Sequence, residues 1–407
     1  MKIVYNIGIY TLYLLTLIAS HFNPKAKLWI RGRKGQLKKM KAVFSGSDQV
    51  VWVHCASLGE FEQGRPVIEE IKNRFPHKKV LLTFYSPSGY EVQKNYSNAD
   101  FVCYLPLDTR FNIKKLIKYA KPEMVFFIKY EYWYNVLSIL NKKAIPVYFV
   151  STIFREDQLF FKSYGKWYRK MLSKASHFFL QNESSAALLD TINIKNHTIT
   201  GDTRFDRVAN ILKNVKPLKI VEAFINGTPV IIAGSTWKSE EALLRQFVLK
   251  NQGIKVVLVP HEIENGNVDR IMQSYGDKAI KYSEATKANL KNKQVLVVDC
   301  YGILTSLYQY GQIAVVGGGF GAGIHNVLEP ATFGMPIIFG PNYERFREAI
   351  DLVNQNSAFP VNNIEEFNTV LYHLLANPST TEKIATQAAQ YVKNNVGATQ
   401  KILDKVF

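Results

Sequence analysis

Apolar and polar residues alternate along most of this chain in a rhythm of buried strands and amphipathic helices. From Val50 onward, short apolar runs rich in β-branched and aromatic residues are separated by stretches with helical periodicity, such as Glu60–Arg74 and Arg110–Tyr119. The strands predicted in the first half are Val50–His54, Val80–Tyr85, Phe101–Leu105, Met124–Ile128, Pro146–Val150 and His177–Leu180. Continuous apolar strands that alternate with helices predict a parallel sheet covered on both faces.

The rhythm pauses around Arg204–Gly227 and then restarts. The second set of predicted strands is Val230–Ala233, Lys255–Val259, Val295–Val298, Ile313–Val316 and Pro336–Phe339, and the tail from Ile364 to Phe407 is predicted to be helical. This pattern predicts an α/β protein with two Rossmann-like, doubly wound domains, residues 49–206 and 207–407. Two-domain binding proteins and dehydrogenases share the same rhythm, so the fold alone does not decide the chemistry.

The first 48 residues follow a different pattern. The apolar run Ile3–Ala19 precedes a dense basic cluster made of Lys25, Lys27, Arg31, Arg33, Lys34, Lys38, Lys39 and Lys41. This order predicts an uncleaved, tilted or half-buried membrane anchor over residues 1–24, a basic juxtamembrane segment over 25–48, and cytoplasmic domains at a bacterial inner membrane. A cleaved signal peptide is the alternative, but only Lys2 precedes the run and no clear cleavage site follows it.

Composition narrows the possible partners. The net charge of +18 suits anionic lipid, a phosphorylated substrate or nucleic acid, and its concentration beside the apolar run favours a membrane surface over nucleic acid. The three scattered cysteines predict neither a disulfide framework nor structural zinc. No Asp-x-Asp triplet follows a predicted strand and no histidine spacing suits a metal, so we expect no catalytic metal and no cofactor.

Ser57, Gly59 and Glu60 lie between the first predicted strand and the first predicted helix. Serine and glycine suit a tight turn there, and Glu60 then lies in the first helical turn. Its carboxylate either complements the helix dipole or takes a proton from an acceptor hydroxyl, and the spacing leaves both interpretations open.

Two later loops predict an anion site. Gly234-Ser235-Thr236 follows a strand and either binds phosphate or caps the next helix. Five glycines in Gly317–Gly323 suggest backbone amides shaped around an anion, with a helix opening at Asn326 and Glu329 one turn later, placed either for a ribose hydroxyl or for solvent. Weaker candidates are the strand-end stretches Thr83–Gly89, Lys129–Trp133 and Gly201–Asp206, together with His261; for Lys129–Trp133, core packing is the favoured interpretation.

Together these motifs resemble those of 3-deoxy-D-manno-octulosonic acid (Kdo) transferases, which glycosylate the lipid A precursor. The resemblance runs over nearly the whole chain and is most specific in Gly317-Gly318 through His325-Asn326-x-Leu328-Glu329-Pro330. It implies a glycosyltransferase-B fold, CMP-Kdo as donor, lipid IVA as acceptor, and inversion without a metal. It also implies that Glu60 is the general base and that the second domain holds the cytidine nucleotide.

With the motifs above, the resemblance predicts a set of contacts for each substrate. Nucleotide contacts are expected from Ser235, Thr236, His261, Gly317, Gly318, Gly319, His325, Asn326 and Glu329. Contacts to the other substrate are expected from Ser57, Gly59, Thr83, Ser86 and Arg204.

The chain departs from the family pattern at three places. Trp237 stands where a histidine is usual, Pro260-His261-Glu262-Ile263 replaces a Pro-Arg-His-Pro segment, and Ile324 replaces a glycine. An arginine that would face the phosphate is therefore missing, and His261, Lys238 or Arg204 is the expected substitute. The rival functions are another transferase of the same fold with a different sugar nucleotide and a membrane lipid, or a non-catalytic protein that binds anionic lipid.

Overall fold

The computed structural model describes residues 1–44, 46–213, 215–264 and 266–407 and divides the chain into two compact units. Unit 1 comprises Met1–Arg207 and Val396–Phe407, and unit 2 comprises Val208–Asn395. Each contains a seven-stranded sheet whose paired strands are parallel, so the predicted α/β fold class is confirmed.

Unit 1 is built on a sheet with the strand order β3-β2-β1-β4-β5-β6-β7. Its strands are β1 (Val50–Cys55), β2 (Lys79–Phe84), β3 (Phe101–Tyr104), β4 (Pro122–Ile128), β5 (Val147–Thr152), β6 (His177–Leu180) and β7 (His197–Ile199). Its helices are α1 (Lys2–Ala19), α2 (Pro24–Gly32), α3 (Gln36–Val43), α4 (Leu58–Arg74), α5 (Pro87–Gln93), α6 (Arg110–Ala120), α7 (Tyr134–Lys142), α8 (Lys166–Leu172), α9 (Glu183–Thr191) and α10 (Arg204–Ile211), the last of which continues into unit 2.

Unit 2 repeats the plan with the order β10-β11-β9-β8-β12-β13-β14. Its strands are β8 (Val230–Thr236), β9 (Lys255–Pro260), β10 (Ala279–Lys281), β11 (Val295–Val297), β12 (Ile313–Val316), β13 (Ile337–Phe339) and β14 (Ala358–Pro360). Its helices are α11 (Lys219–Ile225), α12 (Lys238–Lys250), α13 (Asn267–Tyr275), α14 (Leu304–Leu307), α15 (Leu328–Thr332), α16 (Arg347–Asn354), α17 (Ile364–Ala376) and α18 (Pro378–Asn394).

The end of the chain returns to unit 1 as α19 (Ala398–Val406). Ile402 and Leu403 are fully buried there in a cluster that includes Val51 and Val53 of β1. The Asp206 carboxylate accepts hydrogen bonds from the backbone amides of Gly397 and Thr399, at 2.5 and 2.7 Å. The division therefore differs from the predicted domain of residues 207–407, because the apolar face of the last helix is buried in the core of unit 1.

The basic segment 25–48 is also folded into unit 1 over its described part. Met40 of α3 is fully buried, and Arg33 lies with its guanidinium carbon 3.7 Å from the centre of the Trp29 ring and 4.7 Å from that of Tyr104. Burial lowers the pKa of Arg33 to about 9. At least this member of the predicted membrane-facing cluster is therefore half-buried against aromatic rings of unit 1.

The apolar helix α1 has 18 residues, a mean hydropathy of 1.4 and only 6% of its length buried. It is long and apolar enough to cross a membrane. Its first turns nevertheless contact the rest of unit 1. The Tyr5 hydroxyl donates to Asp108 at 2.6 Å, Asn135 donates to Asn6 at 2.9 Å, and Ile9 is buried.

Each sheet reverses its strand order at one place, between β1 and β4 in unit 1 and between β8 and β12 in unit 2. In open parallel sheets, ligands bind beyond the carboxyl ends of the strands at such a switch point. Glu60 lies in the helix that follows β1, Ser235 lies at the carboxyl end of β8, and Gly317 directly follows β12. The topology therefore places the main candidate motifs at the two switch points.

Candidate active site

In unit 1, Glu60 lies in the first turn of α4, directly after β1. Ser57 is the N-cap residue of this helix, accepts a hydrogen bond from the Gly59 amide at 3.2 Å, and donates its hydroxyl to the Glu60 carboxylate. The Glu60 side chain is half-buried and Gly59 is exposed. The carboxylate is thus held in place by one donor and stays accessible to a proton donor outside the helix.

The loop after β2 lies against the loop of Glu60. The backbone amides of Tyr85 and Ser86 donate to the Ala56 carbonyl at 3.2 and 2.7 Å, which brings the two strand ends together. Ser86 is the N-cap residue of α5, where its hydroxyl accepts from the Ser88 amide at 3.2 Å. Both predicted residues of this edge, Ser57 and Ser86, therefore lie at adjacent helix starts.

Thr83, by contrast, is fully buried beneath this edge. Its hydroxyl accepts from the Trp52 indole nitrogen at 2.8 Å and lies 2.8 Å from Nδ1 of His54, which is itself fully buried. Nε2 of His54 lies 3.1 Å from the Glu131 carboxylate. Nδ1 of His54 also lies 3.1 Å from the Thr83 carbonyl oxygen, so both nitrogens of this ring have oxygen partners inside the protein.

Glu131 is a second oriented carboxylate of unit 1, in a stretch for which the sequence favoured core packing. Besides His54, the Trp133 indole nitrogen donates to the same carboxylate oxygen at 2.6 Å. Burial and the charges of Glu60 and Glu131 raise the pKa of the buried Cys55 thiol, so both carboxylates lie near one point of the sheet edge. The usable signal was the position of Glu131 directly after β4, on the other side of the switch point.

Arg204 is held in an ion pair with Asp202. Its Nε and terminal nitrogen lie 2.9 and 2.8 Å from the Asp202 carboxylate, which also accepts from the Gln63 amide at 3.0 Å. Burial alone would raise the pKa of Asp202, but the charge and hydrogen bonds of Arg204 and the bond from Gln63 outweigh it and hold the pKa below its ordinary value. The charge of Arg204 is therefore largely matched inside unit 1.

In unit 2, the carboxyl end of β8, which the sequence pattern had placed in a loop, approaches the loop after β12 at backbone distance. The Gly317 amide donates to the Gly234 carbonyl at 3.0 Å, and a Cβ on Gly317 would collide with the Ser235 carbonyl. Ser235 has a φ of 54°, an unusual conformation for a residue with a side chain. A glycine is thus required at position 317 for its backbone to lie this close to the backbone of Gly234 and Ser235.

The buried carboxylate of Glu240, in the first turn of α12, joins the two loops. It accepts from the Trp237 amide at 3.1 Å and from the Gly318 amide at 2.9 Å. A Cβ on Gly319 would likewise lie 2.5 Å from the Gly340 nitrogen, in the loop after β13. The glycines therefore let three strand-end loops pack backbone against backbone.

This packing uses many of the amides that were expected to face an anion. The Gly317 amide bonds Gly234, the Gly318 amide bonds Glu240, and the amides of Gly321 and Gly323 donate to the Gly318 carbonyl at 3.0 and 3.2 Å. In this structure those four N–H groups already have acceptors. The expectation of an amide-lined anion site therefore does not hold for them, because the loop satisfies its own donors.

Three aromatic rings stack beside the glycine-rich loop. The ring centres of Trp237 and His261 are 4.7 Å apart and those of His261 and His325 are 4.4 Å apart, with interplanar angles of 28° and 22°. The Trp237 indole nitrogen donates to Nε2 of His325 at 3.1 Å, and burial together with His261 lowers the pKa of His325 to about 4. Trp237 and His325 line a cavity of about 360 Å³ with Gly318, Phe320 and Gly323.

Asn326 and Glu329 are also brought together, although α15 begins two residues later than predicted. The Asn326 side chain accepts from the Leu328 amide at 3.0 Å and donates to Glu329 at 3.1 Å, while the Thr305 hydroxyl donates to the other Glu329 oxygen at 2.9 Å. Asn326 therefore lies just before the helix, and its exposed side chain is oriented toward the buried carboxylate of Glu329.

Thr236 is buried, and its hydroxyl lies 3.5 Å from the carboxylate of Glu241, which Arg270 also contacts. A second cavity of about 400 Å³ is lined by these residues together with the exposed Lys238. Within the described ranges, no cluster of three or more histidine, cysteine, aspartate or glutamate side chains could hold a metal ion.

Comparison with known proteins identifies similar sequences over most of the chain. Residues 30–207 match a family model described as 3-deoxy-D-manno-octulosonic-acid transferase (kdotransferase). The chain is 30% identical over 335 residues to the 3-deoxy-D-manno-octulosonic acid transferase of Aquifex aeolicus, covering 80% of this chain and 86% of that protein. It is 28% identical over 372 residues to the transferase of the same name from Haemophilus influenzae, covering 88% and 86%.

Solved structures share the fold. UDP-GlcNAc 2-epimerase from Neisseria meningitidis, bound to UDP-GlcNAc, superposes with a TM-score of 0.62 at 18% identity, covering 88% of this chain and 99% of that one. MurG from Acinetobacter baumannii superposes with a TM-score of 0.54 at 13% identity, covering 88% and 98%. Such likenesses support the two-sheet architecture expected of a glycosyltransferase-B fold.

Proposed function

This chain belongs to the 3-deoxy-D-manno-octulosonic acid (Kdo) transferase family and is a glycosyltransferase of lipopolysaccharide synthesis, and from that premise we propose that it moves Kdo from CMP-Kdo to lipid IVA with inversion and without a metal. In this proposal the Glu60 carboxylate takes the proton of an acceptor hydroxyl. The hydroxyl oxygen forms the new bond to the anomeric carbon of Kdo. The bond from that carbon to the phosphate oxygen breaks, and CMP leaves with the electron pair.

The observation that carries the proposal is the position of Glu60. It is a half-buried carboxylate in the first turn of α4, at the switch point of unit 1, and it receives the Ser57 hydroxyl. One hydrogen bond fixes its direction and leaves acceptor capacity for the substrate proton. Glu131, fixed by His54 and Trp133, supplies a second oriented carboxylate for acceptor hydroxyls.

For unit 2, we propose that the switch-point loops hold the cytidine nucleotide. The support is a loop pair that Glu240 and the glycines hold rigidly, next to the rings of Trp237 and His325. The Asn326–Glu329 pair offers an amide and a carboxylate for sugar hydroxyls. These are side-chain contacts, in place of the amide cradle expected from the glycines.

We propose further that α1 attaches the protein to the membrane at its surface. Its first turns are docked on unit 1 through Tyr5, Asn6 and Ile9, while Ile3, Ile7 and further apolar residues along the helix are exposed. A helix with one docked face and one apolar face suits the interface plane better than a perpendicular crossing. Cytoplasmic domains at the inner membrane are part of the same proposal.

The test is transfer from CMP-Kdo to lipid IVA by the purified full chain in the presence of EDTA. We expect Glu60→Gln to lower kcat by about 100-fold or more, in the range of lost general-base catalysis. Glu69→Gln is the matched control, because Glu69 lies more than two turns further along the same helix, where it pairs with Arg65 and accepts from the Tyr96 hydroxyl at 3.3 Å. Inhibition by CMP and by UDP is measured alongside.

Each outcome bears on a separate part of the proposal. Transfer that survives in Glu60→Gln would overturn the base assignment. Loss of transfer in EDTA would overturn metal independence. If the protein is inactive with CMP-Kdo and lipid IVA, and UDP inhibits its transfer from another donor, the assignment of CMP-Kdo as donor is wrong. The protein would then be a different transferase of the same fold.

A further inference from the structure

A cavity of about 900 Å³ opens in unit 1 between α6, α7 and the first turn of α1. Seven basic side chains line it: Lys2, Arg110, Lys114, Lys118, Lys121, Lys142 and Lys143. All seven are exposed. No predicted catalytic or substrate-binding residue lines this cavity, so it is a feature separate from the edge that carries Glu60.

The charge of this cavity is not balanced by the protein. Among the described residues that line it there is no carboxylate. None of the seven cations forms an ion pair with another described residue. Like charges held around one concave surface raise its potential and concentrate anions there. The structure thus presents a site for a group with more than one negatively charged oxygen.

Besides the cations, the cavity is lined by three isoleucines and by four uncharged polar residues, Asn6, Tyr134, Asn135 and Ser138. Ile117 and Ile139 are 4% and 7% exposed and contribute the apolar surface. The lining therefore combines a ring of positive charge with a small apolar surface.

The cavity adjoins the apolar face of α1. Lys2, Ile3 and Asn6 of α1 line it, and Ile3 is 75% exposed. A lipid whose headgroup occupied the basic cavity would therefore leave its acyl chains next to the exposed face of α1. Soluble phosphate would use the cations but not this apolar continuation.

We propose that this cavity binds the phosphate-bearing headgroup of an anionic glycerophospholipid, with the Lys114, Lys118 and Lys142 ammonium groups around the phosphate and the acyl chains along α1. The inference rests on the proposed attachment of α1 to the membrane surface. It adds selectivity for anionic lipid, because α1 supplies only apolar contact whereas the cavity supplies charge.

The test compares binding of the full chain to vesicles of pure phosphatidylcholine and to vesicles in which part of it is replaced by phosphatidylglycerol, an anionic lipid. The variant Lys114→Gln/Lys118→Gln/Lys142→Gln removes three cavity charges. The control Lys287→Gln/Lys291→Gln/Lys383→Gln removes three exposed charges of unit 2. Both variants leave the core intact, and thermal unfolding verifies this.

Each basic group near an anionic surface contributes about fivefold to binding, so the cavity variant should lose about 100-fold in affinity for the anionic vesicles. The control should lose less than about threefold. Binding to neutral vesicles should be the same for all three proteins, since it depends on α1. An equal loss in both variants would show general electrostatics and overturn the site.

Two further arms separate the sources of phosphate. Inorganic phosphate, at the concentration of accessible lipid phosphate, should not displace the wild type; displacement would assign the cavity to a soluble anion. On neutral vesicles that contain lipid IVA, wild type and the cavity variant should bind equally. Tighter binding by wild type there would show that the cavity binds the acceptor. Failure to bind neutral vesicles at all would refute the α1 attachment, and the transfer assay in detergent reports on catalysis independently.

Discussion

Replacing the buried Asp202 by asparagine should destabilise unit 1 through the loss of one charge. The Asp202 carboxylate is only 5% exposed and accepts from the Arg204 side chain, the Arg204 backbone amide at 2.9 Å and the Gln63 amide. Asp202→Asn keeps the shape of the side chain and one acceptor oxygen. It removes the negative charge with which the guanidinium of Arg204, 28% exposed, pairs at this position.

Removing one partner of a buried ion pair costs about 3–5 kcal/mol. Because Arg204 has partial access to water and its amide can still bond asparagine, we expect the lower end, about 3 kcal/mol. For a unit of this size that corresponds to a fall in Tm of about 6–12 °C in the transition of unit 1.

The assay is calorimetric unfolding of the full chain at neutral pH. The control is Asp190→Asn, the same chemical change at an exposed aspartate that pairs with Lys195 and His197 at 2.9 Å, and its shift should be too small to resolve. The double variant Asp202→Asn/Arg204→Gln should lose less stability than the two single variants together, since the two side chains interact directly. Equal shifts in Asp202→Asn and Asp190→Asn, or additive losses in the double variant, would refute the reasoning.

The same pair predicts a pH dependence. The pKa of Asp202 in the folded protein lies below its ordinary value of 3.8, so the unfolded chain binds this proton first as the pH falls. The stabilisation is fully present above the unfolded pKa of about 3.9 and is lost as pH falls through the folded value. The difference between wild type and Asp202→Asn should therefore be constant from neutral pH to about pH 5 and shrink below about pH 4.

Two predictions concern the loops of unit 2, and both are measured as CMP affinity by titration calorimetry. Gly317→Ala should lower the affinity for CMP about tenfold or more, because its Cβ would displace the Ser235 carbonyl at an overpacking cost of about 1–3 kcal/mol. The control is Gly321→Ala, whose Cβ would lie an ordinary 3.6 Å from the Gly318 carbonyl oxygen, and it should bind CMP like wild type. Lys238→Gln should weaken CMP about tenfold, the value of one charge-assisted contact, whereas Lys250→Gln at the other end of α12 should not. Equal effects within either pair would contradict the prediction.

Most of the fold followed from the sequence because a doubly wound sheet buries its central strands on both faces. Continuous apolar runs such as Val50–His54 and Ile313–Val316 therefore predicted strands close to their observed bounds. The strands that were missed, β7, β10 and β14, have three residues each and lie at sheet edges. Edge strands have fewer buried sides, so their short and partly polar sequences carry no distinct signal.

The candidate site was predictable where chemistry is local and not where it depends on distant pairing. Ser57 and Glu60 are three residues apart, and one helix start brings them together. The bonds from His54 to Thr83 and Glu131 span 29 and 77 positions, and the bond from Asp206 to Gly397 spans 191. Such partners are set by strand order and helix docking, which local spacing does not encode.

The family's arginine is absent from the loop after β9, and the structure reduces the number of groups that could replace its positive charge. Arg204 is matched by Asp202, and the amides of Gly317 and Gly318 are occupied within the loops. With a pKa of about 4, His325 is neutral at physiological pH, and since its Nε2 accepts from Trp237, its ring proton lies on Nδ1. Burial and His261 thus keep His325 neutral while the bond from Trp237 fixes its tautomer. We therefore propose the exposed Lys238 at the start of α12 as the cation for the departing phosphate.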